Sequence, residues 1–111
     1  METNEVLKLF STTKHKCVEF KVFGENDDPG LELYFESRNM RNKYDYVEYE
    51  DVLATPVVVY NKTLNEIFYC EDIYVNGFNV DTIYRVDPTG EFSQAEIDYI
   101  ENTIRVNFDK I

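Results

Sequence analysis

Hydrophobic positions along the chain change their period several times, and each change marks an element. Val6, Leu9 and Phe10 share one side of a predicted short helix over residues 4–11, with Thr3 as its cap and Lys14-His15-Lys16 as its positive end. Alternation follows. Val18, Phe20 and Val22 are expected on one face of a strand, and Cys17, Glu19 and Lys21 on the other. The stretch from Gly24 to Gly30 is a turn by composition. Beyond it Leu31, Leu33 and Phe35 alternate with Glu32, Tyr34 and Glu36, which predicts the second arm of a hairpin.

A basic loop over residues 37–43 leads to Asp45-Tyr46-Val47-Glu48, which fits a helix cap. Tyr46, Tyr49, Val52 and Leu53 then share a side, so residues 46–54 read as a short helix that Pro56 stops. A strand over the same residues is the alternative. Pro56-Val57-Val58-Val59-Tyr60 is apolar throughout and suits a central strand. Asn76-Gly77 lies between two β-rich arms and marks a two-residue hairpin, because both turn positions need positive φ. Ser93-Gln94-Ala95-Glu96 is a capping box for an amphipathic helix over residues 94–109, with Ile97, Ile100, Ile104 and Phe108 inward. The expected order is αββαβββα. It describes a single α+β domain over residues 1–111, with an antiparallel sheet of about five strands, short N-terminal and middle helices, and a C-terminal amphipathic helix.

The two-residue turn also predicts a register. Val75 should face Phe78, Tyr74 face Asn79, Ile73 face Val80, and Asp72 face Asp81. Tyr69, Ile73, Val75, Phe78, Val80 and Tyr84 then form a core face. Asp72, Tyr74 and Asp81 share the other face, with Glu66 on the same parity. Glu71 and Thr82 interrupt the core face, which suggests a bulge or a rim near residue 71. Like charges opposed across a ladder are unfavourable. The pair at Asp72 and Asp81 therefore reads either as acids splayed into water, or relieved by Arg85, or as a patch for a cationic partner.

Charge alters this picture more than composition does. The formal net charge is −11, and residues 1–43 contribute only −1 of it. Residues 44–111 hold fourteen acids against Lys62, Arg85, Arg105 and Lys110. Such a field disfavours nucleic acid and anionic membranes and favours basic protein surfaces. Candidate contact residues are Glu48, Glu50 and Asp51 in the middle of the chain, Glu66, Asp72, Tyr74 and Asp81 on the hairpin, and Asp98 and Glu101 on the last helix. Glu101 and Arg105 also stand in the favourable i, i+4 order. The basic residues of the first third suit internal pairing, or attraction to the acidic part of another copy in a homodimer. Tyr44, Tyr46 and Tyr49 are either a contact cluster or a core stripe.

Other chemistry finds little support. No apolar run is long enough to span a membrane, and the N-terminus lacks the features of a signal peptide. Cys17 and Cys70 read as reduced thiols of a cytoplasmic protein, which makes the Asn61-Lys62-Thr63 sequon a chance match. His15, between two lysines, is expected to be a solvated surface residue, with a Cys–His pair as a remote alternative. Two cysteines and one histidine do not make a zinc site, and the acids of residues 25–28 lack calcium-loop spacing. No phosphate-binding glycine loop or cofactor motif is present.

These features favour a binding protein over an enzyme. In size and charge the chain is similar to small acidic proteins of bacteriophages and mobile elements, including anti-CRISPR and anti-restriction inhibitors. The likeness is one of composition and carries over no residues. The resulting expectation is a nucleic-acid-mimic inhibitor of a basic, nucleic-acid-binding host enzyme, without direct contact to nucleic acid. An immunity or antitoxin protein, or a structural or assembly protein, is the alternative.

Overall fold

A computed structural model describes residues 1–24, 27–40 and 51–111. Its elements are α1 (Thr3–Phe10), β1 (Cys17–Phe23), β2 (Gly30–Phe35), β3 (Arg38–Asn39), β4 (Val52–Asn61), β5 (Glu66–Val75), β6 (Phe78–Arg85) and α2 (Gln94–Asn107), with 3-10 turns at Pro88–Gly90 and Phe108–Lys110. Among the described residues six strands form one antiparallel sheet in the order β1-β2-β4-β5-β6, with the short β3 beside β4. The architecture is α+β. None of the described helices is long and apolar enough to cross a membrane.

Both helices lie on one face of the sheet. Val6 and Phe10 of α1 and Ile97, Ile100 and Ile104 of α2 pack on Leu31, Leu33, Phe35, Val58, Tyr60 and Tyr69. The alternation in β2 thus buries the three residues expected. A second apolar cluster on the same face joins Met40, Val52, Ala54 and Ile73. The capping box of α2 forms as expected: Glu96 N–H donates to the Ser93 hydroxyl, and Ser93 N–H donates to the Glu96 carboxylate. The helix ends two residues early, in a 3-10 turn. In α1 the cap position is Glu2 and no side chain caps it, so Thr3 is the first helical residue instead. That helix closes at Phe10, with Lys8 as its basic last-turn residue; Lys14 and Lys16 lie beyond it.

Four further expectations are corrected. The helix expected over 46–54 fails at Val52, Leu53 and Ala54, which open β4 opposite Val75, Tyr74 and Ile73. Long-range pairing outweighs the local helical spacing there; residues 45–50 of that expectation lie outside the described residues, as do Tyr44, Tyr46 and Tyr49. Pro56 does not end an element but sits within β4. Pairing of β2 with β4 stops at Tyr34–Val57 and that of β3 begins at Arg38–Ala54, so Thr55 and Pro56 fall in a gap where a missing N–H costs little. In β1 a register shift at Val18 puts Cys17 opposite Phe35 in the core and leaves Val18 exposed. Phe20 remains on the core face, and Val22 is exposed at the edge of the sheet.

The fourth correction concerns the last hairpin. Asn76 (φ 49°) and Gly77 (φ 85°) make the expected turn, and Val75–Phe78 and Tyr74–Asn79 pair as expected. A bulge then loops out Val80, and Ile73 faces Asp81. The rest of β6 slides by one residue, so its faces invert relative to the expectation. Ile83 joins the second apolar cluster, while Phe78, Val80 and Tyr84 are exposed rather than core.

Candidate functional site

The outer face of the sheet has no described element packed on it. It is built from the residues that alternate with the core: Glu19 and Lys21 of β1, Glu32 and Tyr34 of β2, Val57 and Val59 of β4, Phe68, Cys70, Asp72 and Tyr74 of β5, and Thr82 and Tyr84 of β6. Cross-strand pairing sets Glu32 opposite Lys21 and Val59, and Tyr34 opposite Glu19 and Val57. The Tyr34 hydroxyl donates to Glu32 at 2.7 Å, and the Lys21 ammonium lies 5.2 Å from the Tyr34 ring centre. Burial raises the Tyr34 pKa well above its ordinary value. The hydrogen bond to Glu32 and the fields of Glu32, Asp72 and Glu19 raise it further. Glu32 thus contacts the Tyr34 hydroxyl and Glu19 stands opposite Tyr34 in the ladder, while the buried Val57 and Cys70 lie at the centre of this face. Phe68 and Tyr84 are exposed beside them.

The expected contact residues do not form one surface. Glu48 and Glu50 lie outside the described residues. Asp51 is exposed beside the hairpin tip, where its carbonyl accepts the Asn76 N–H at 2.8 Å. Glu66, Asp72 and Tyr74 share the outer face. Asp81 does not: the bulge turns it to the helix-bearing side, opposite Ile73. The opposition of Asp72 and Asp81 is therefore absent. Asp72 faces Thr82, whose hydroxyl donates to it at 2.8 Å, and Asp81 accepts the Thr82 N–H at 2.8 Å. Asp98 and Glu101 belong to α2, in the layer on the other side of the sheet. Gln94 donates to Asp98 at 2.9 Å. Glu101 accepts the Tyr69 hydroxyl at 2.7 Å and pairs with Arg105 at 3.4 Å, as the i, i+4 spacing suggested.

A second polar constellation runs along the opposite side, beneath the segment that joins β6 to α2. His15 is not solvated: its side chain is only 15% exposed, held between Glu96 (Nδ1···Oε2 2.7 Å) and Glu91 (Nε2···Oε1 3.3 Å). Its ring packs 4.4 Å from that of Phe92. Glu91 also pairs with Arg38. Arg38 reaches Glu71 at 2.8 Å, and Arg85 approaches the other Glu71 oxygen at 3.3 Å. Glu71, which interrupts the core pattern of β5, is not at a rim, and the bulge expected near it lies two residues on, where Val80 is looped out opposite Ile73 and Tyr74. Glu71 is a buried carboxylate (2% exposed) neutralised by two guanidiniums, and one of its oxygens accepts no hydrogen bond. Depressions of about 340 and 490 Å³ flank Arg38, the first lined by Glu71, Arg85 and Asp87, the second by Lys14, Lys16 and Glu36.

This network ties the start of β1, β3, β5 and the end of β6 to the segment before α2. Both imidazole nitrogens are occupied by carboxylates, Nδ1 by Glu96 and Nε2 by Glu91. Burial pushes the Cys17 thiol up to about 11, against weaker opposition from backbone hydrogen bonds at Glu19 and Tyr34, which suppresses its thiolate. Burial, then the charges of Asp72, Glu32 and Glu71, push Cys70 up to about 11 as well. No group of three or more His, Cys, Asp or Glu side chains among the described residues is placed to hold a metal ion. The chain matches no protein-family model, no curated protein and no solved structure.

Proposed function

We propose that this protein acts by binding a basic protein surface through the outer face of its sheet, as an inhibitor. The observation that supports this most is the acid and aromatic set of the outer face, where Glu32 holds the Tyr34 hydroxyl, Glu19 stands opposite Tyr34, and Phe68 and Tyr84 are exposed around a buried centre at Val57 and Cys70. Exposed Phe68 and Tyr84 and half-buried Tyr74 add the aromatic anchors that protein interfaces favour. The net charge of −11 would steer a cationic partner toward the molecule. Nucleic-acid-binding enzymes present such surfaces, and a chain of this size and acidity fits an anti-defence inhibitor of phage or mobile-element origin. Carboxylates would stand where the target expects phosphates.

The test is capture of partners from nuclease-treated bacterial lysate, with mass spectrometry, using the native chain and the Glu32→Lys/Asp72→Lys variant. A basic nucleic-acid-binding protein should be retained by the native chain and lost by the variant, with the circular dichroism of the two unchanged. Equal retention by a folded variant would remove the outer face from the mechanism. Recovery of the chain alone would remove the inhibitor reading.

A further inference from the structure

The strand β6 ends the sheet, and among the described residues only β5 packs substantially against it. The opposite edge strand, β1, has α1 beside it. An open edge presents unpaired backbone donors and acceptors, and proteins ordinarily blunt such edges with charges, prolines or covering elements. Here the edge is only partly blunted: Asn79, Asp81, Thr82 and Arg85 are mixed with large apolar residues, and a bulge stands at Val80. Phe78 and Tyr84 are each 75% exposed, Val80 52%, and Val86, just past the strand, is fully exposed at 103%. The Thr82 N–H is taken up by the Asp81 carboxylate, so a side chain stands where a neighbouring strand's carbonyl would.

We infer that β6 pairs antiparallel with β6 of a second copy, making one continuous sheet across a two-fold axis at Ile83. The choice of occupant comes from self-complementarity. A two-fold interface requires that residue i meet j and j meet i. With Ile83 on the axis, Asp81 faces Arg85 of the second copy, and Arg85 faces Asp81. Thr82 faces Tyr84. Two opposite-charge pairs, two hydroxyl–aromatic pairs and the apolar Ile83 pair on the axis result, each of a kind that stabilises a ladder. No like charges are opposed. Arg85 meets Glu71 with a single nitrogen at 3.3 Å, and its remaining guanidinium N–H groups can reach Asp81 of the second copy while that contact is kept. Tyr84 belongs both to this interface and to the outer face proposed for a partner, whereas the Asp81–Arg85 pairs belong to this interface alone.

The axis makes the test direct. Residues opposed across an antiparallel ladder have Cα atoms roughly 4.5–5.5 Å apart, within reach of a disulfide. Ile83→Cys should therefore cross-link to a dimer under mild oxidation. The native Cys17 and Cys70 are buried and will not compete. Sedimentation velocity over a concentration series should show the native chain in monomer–dimer exchange. Asp81→Lys, which opposes lysine to arginine twice per dimer, should weaken association about tenfold or more. Tyr84→Lys at an exposed position serves as a second variant should the first unfold. A native chain that stays monomeric throughout, with no cross-link through residue 83, overturns the inference and leaves the edge to an unlike strand. So does a dimer that persists in both folded lysine variants and does not cross-link at 83.

Discussion

Glu96 performs two tasks with its two oxygens. One accepts the Ser93 N–H and completes the cap of α2; the other accepts from the Thr12 hydroxyl at 2.5 Å and holds His15 at 2.7 Å. Burial pushes its carboxyl pKa up, but hydrogen bonds from the Thr12 hydroxyl, the Ser93 N–H and His15 outweigh that effect and hold it at about 2, below the ordinary 4.5. A carboxyl depressed in the folded state adds stability that is complete above its unfolded pKa and is lost as pH falls through the folded one. Urea unfolding of the native chain should therefore show stability falling between about pH 4.5 and 2, with a shallower fall in Glu96→Gln. Ser93→Ala, which removes only the cap, should cost about 1 kcal/mol at neutral pH. An acid limb unchanged in the glutamine variant would mean that other carboxylates carry it.

At the scale of elements, Val80 decides which way β6 faces. It is the extra residue of the bulge, so its removal leaves the observed pairs intact: Ile73 still meets Asp81, and Asp72 still meets Thr82. Deleting Val80 should change unfolding free energy by about 1 kcal/mol or less, the scale of a single cross-strand pair. Deleting Thr82 differs in kind. It inverts the faces of Ile83, Tyr84 and Arg85 and takes Arg85 away from Glu71. Loss of a partner from a buried carboxylate should cost about 3 kcal/mol. Urea denaturation of the two deletions checks the contrast.

The same strand shows what could be read from the chain alone. Asn76-Gly77 and Ser93–Glu96 were legible because their bonds close within four residues. The alternation of β2 was legible because one face of it is buried by both helices. Val80 was not, since a bulge depends on packing on both sides of the ladder. His15 was misjudged because its partners are 76 and 81 residues away. The one local signal for the polar network was an acid, Glu71, on an apolar face, and its arginine partners were not apparent from its neighbours. Of the acidic patch, Glu66, Asp72 and Tyr74 keep the shared face that strand parity assigned them, while Asp81 leaves it with the bulge.

For the molecule as a whole, the two proposed contacts respond to salt in opposite senses. A basic partner is drawn by the field of −11, which is screened over about 8–10 Å in physiological salt. Its affinity should fall as salt rises. Two copies of this chain repel each other through the same field, and screening relieves that repulsion. Self-association should hold or strengthen over the same range. Sedimentation of the chain alone and binding to the captured partner, each at low and physiological salt, separate the two; a common salt dependence would contradict one of them.

The helix layer carries a consequence for how the molecule is made. Its two helices come from opposite ends of the chain, and the Tyr99 hydroxyl donates to the Leu9 carbonyl at 2.7 Å across 90 residues. The strands between them pair mostly with neighbours in sequence, so the meander can assemble while synthesis proceeds. α1 covers only part of the sheet's apolar face, and the rest waits for α2. Until α2 docks, part of the surface formed by Leu31, Leu33, Phe35 and Val58 stays open, a sheet face that invites aggregation. Docking of α2 is the step that closes the core.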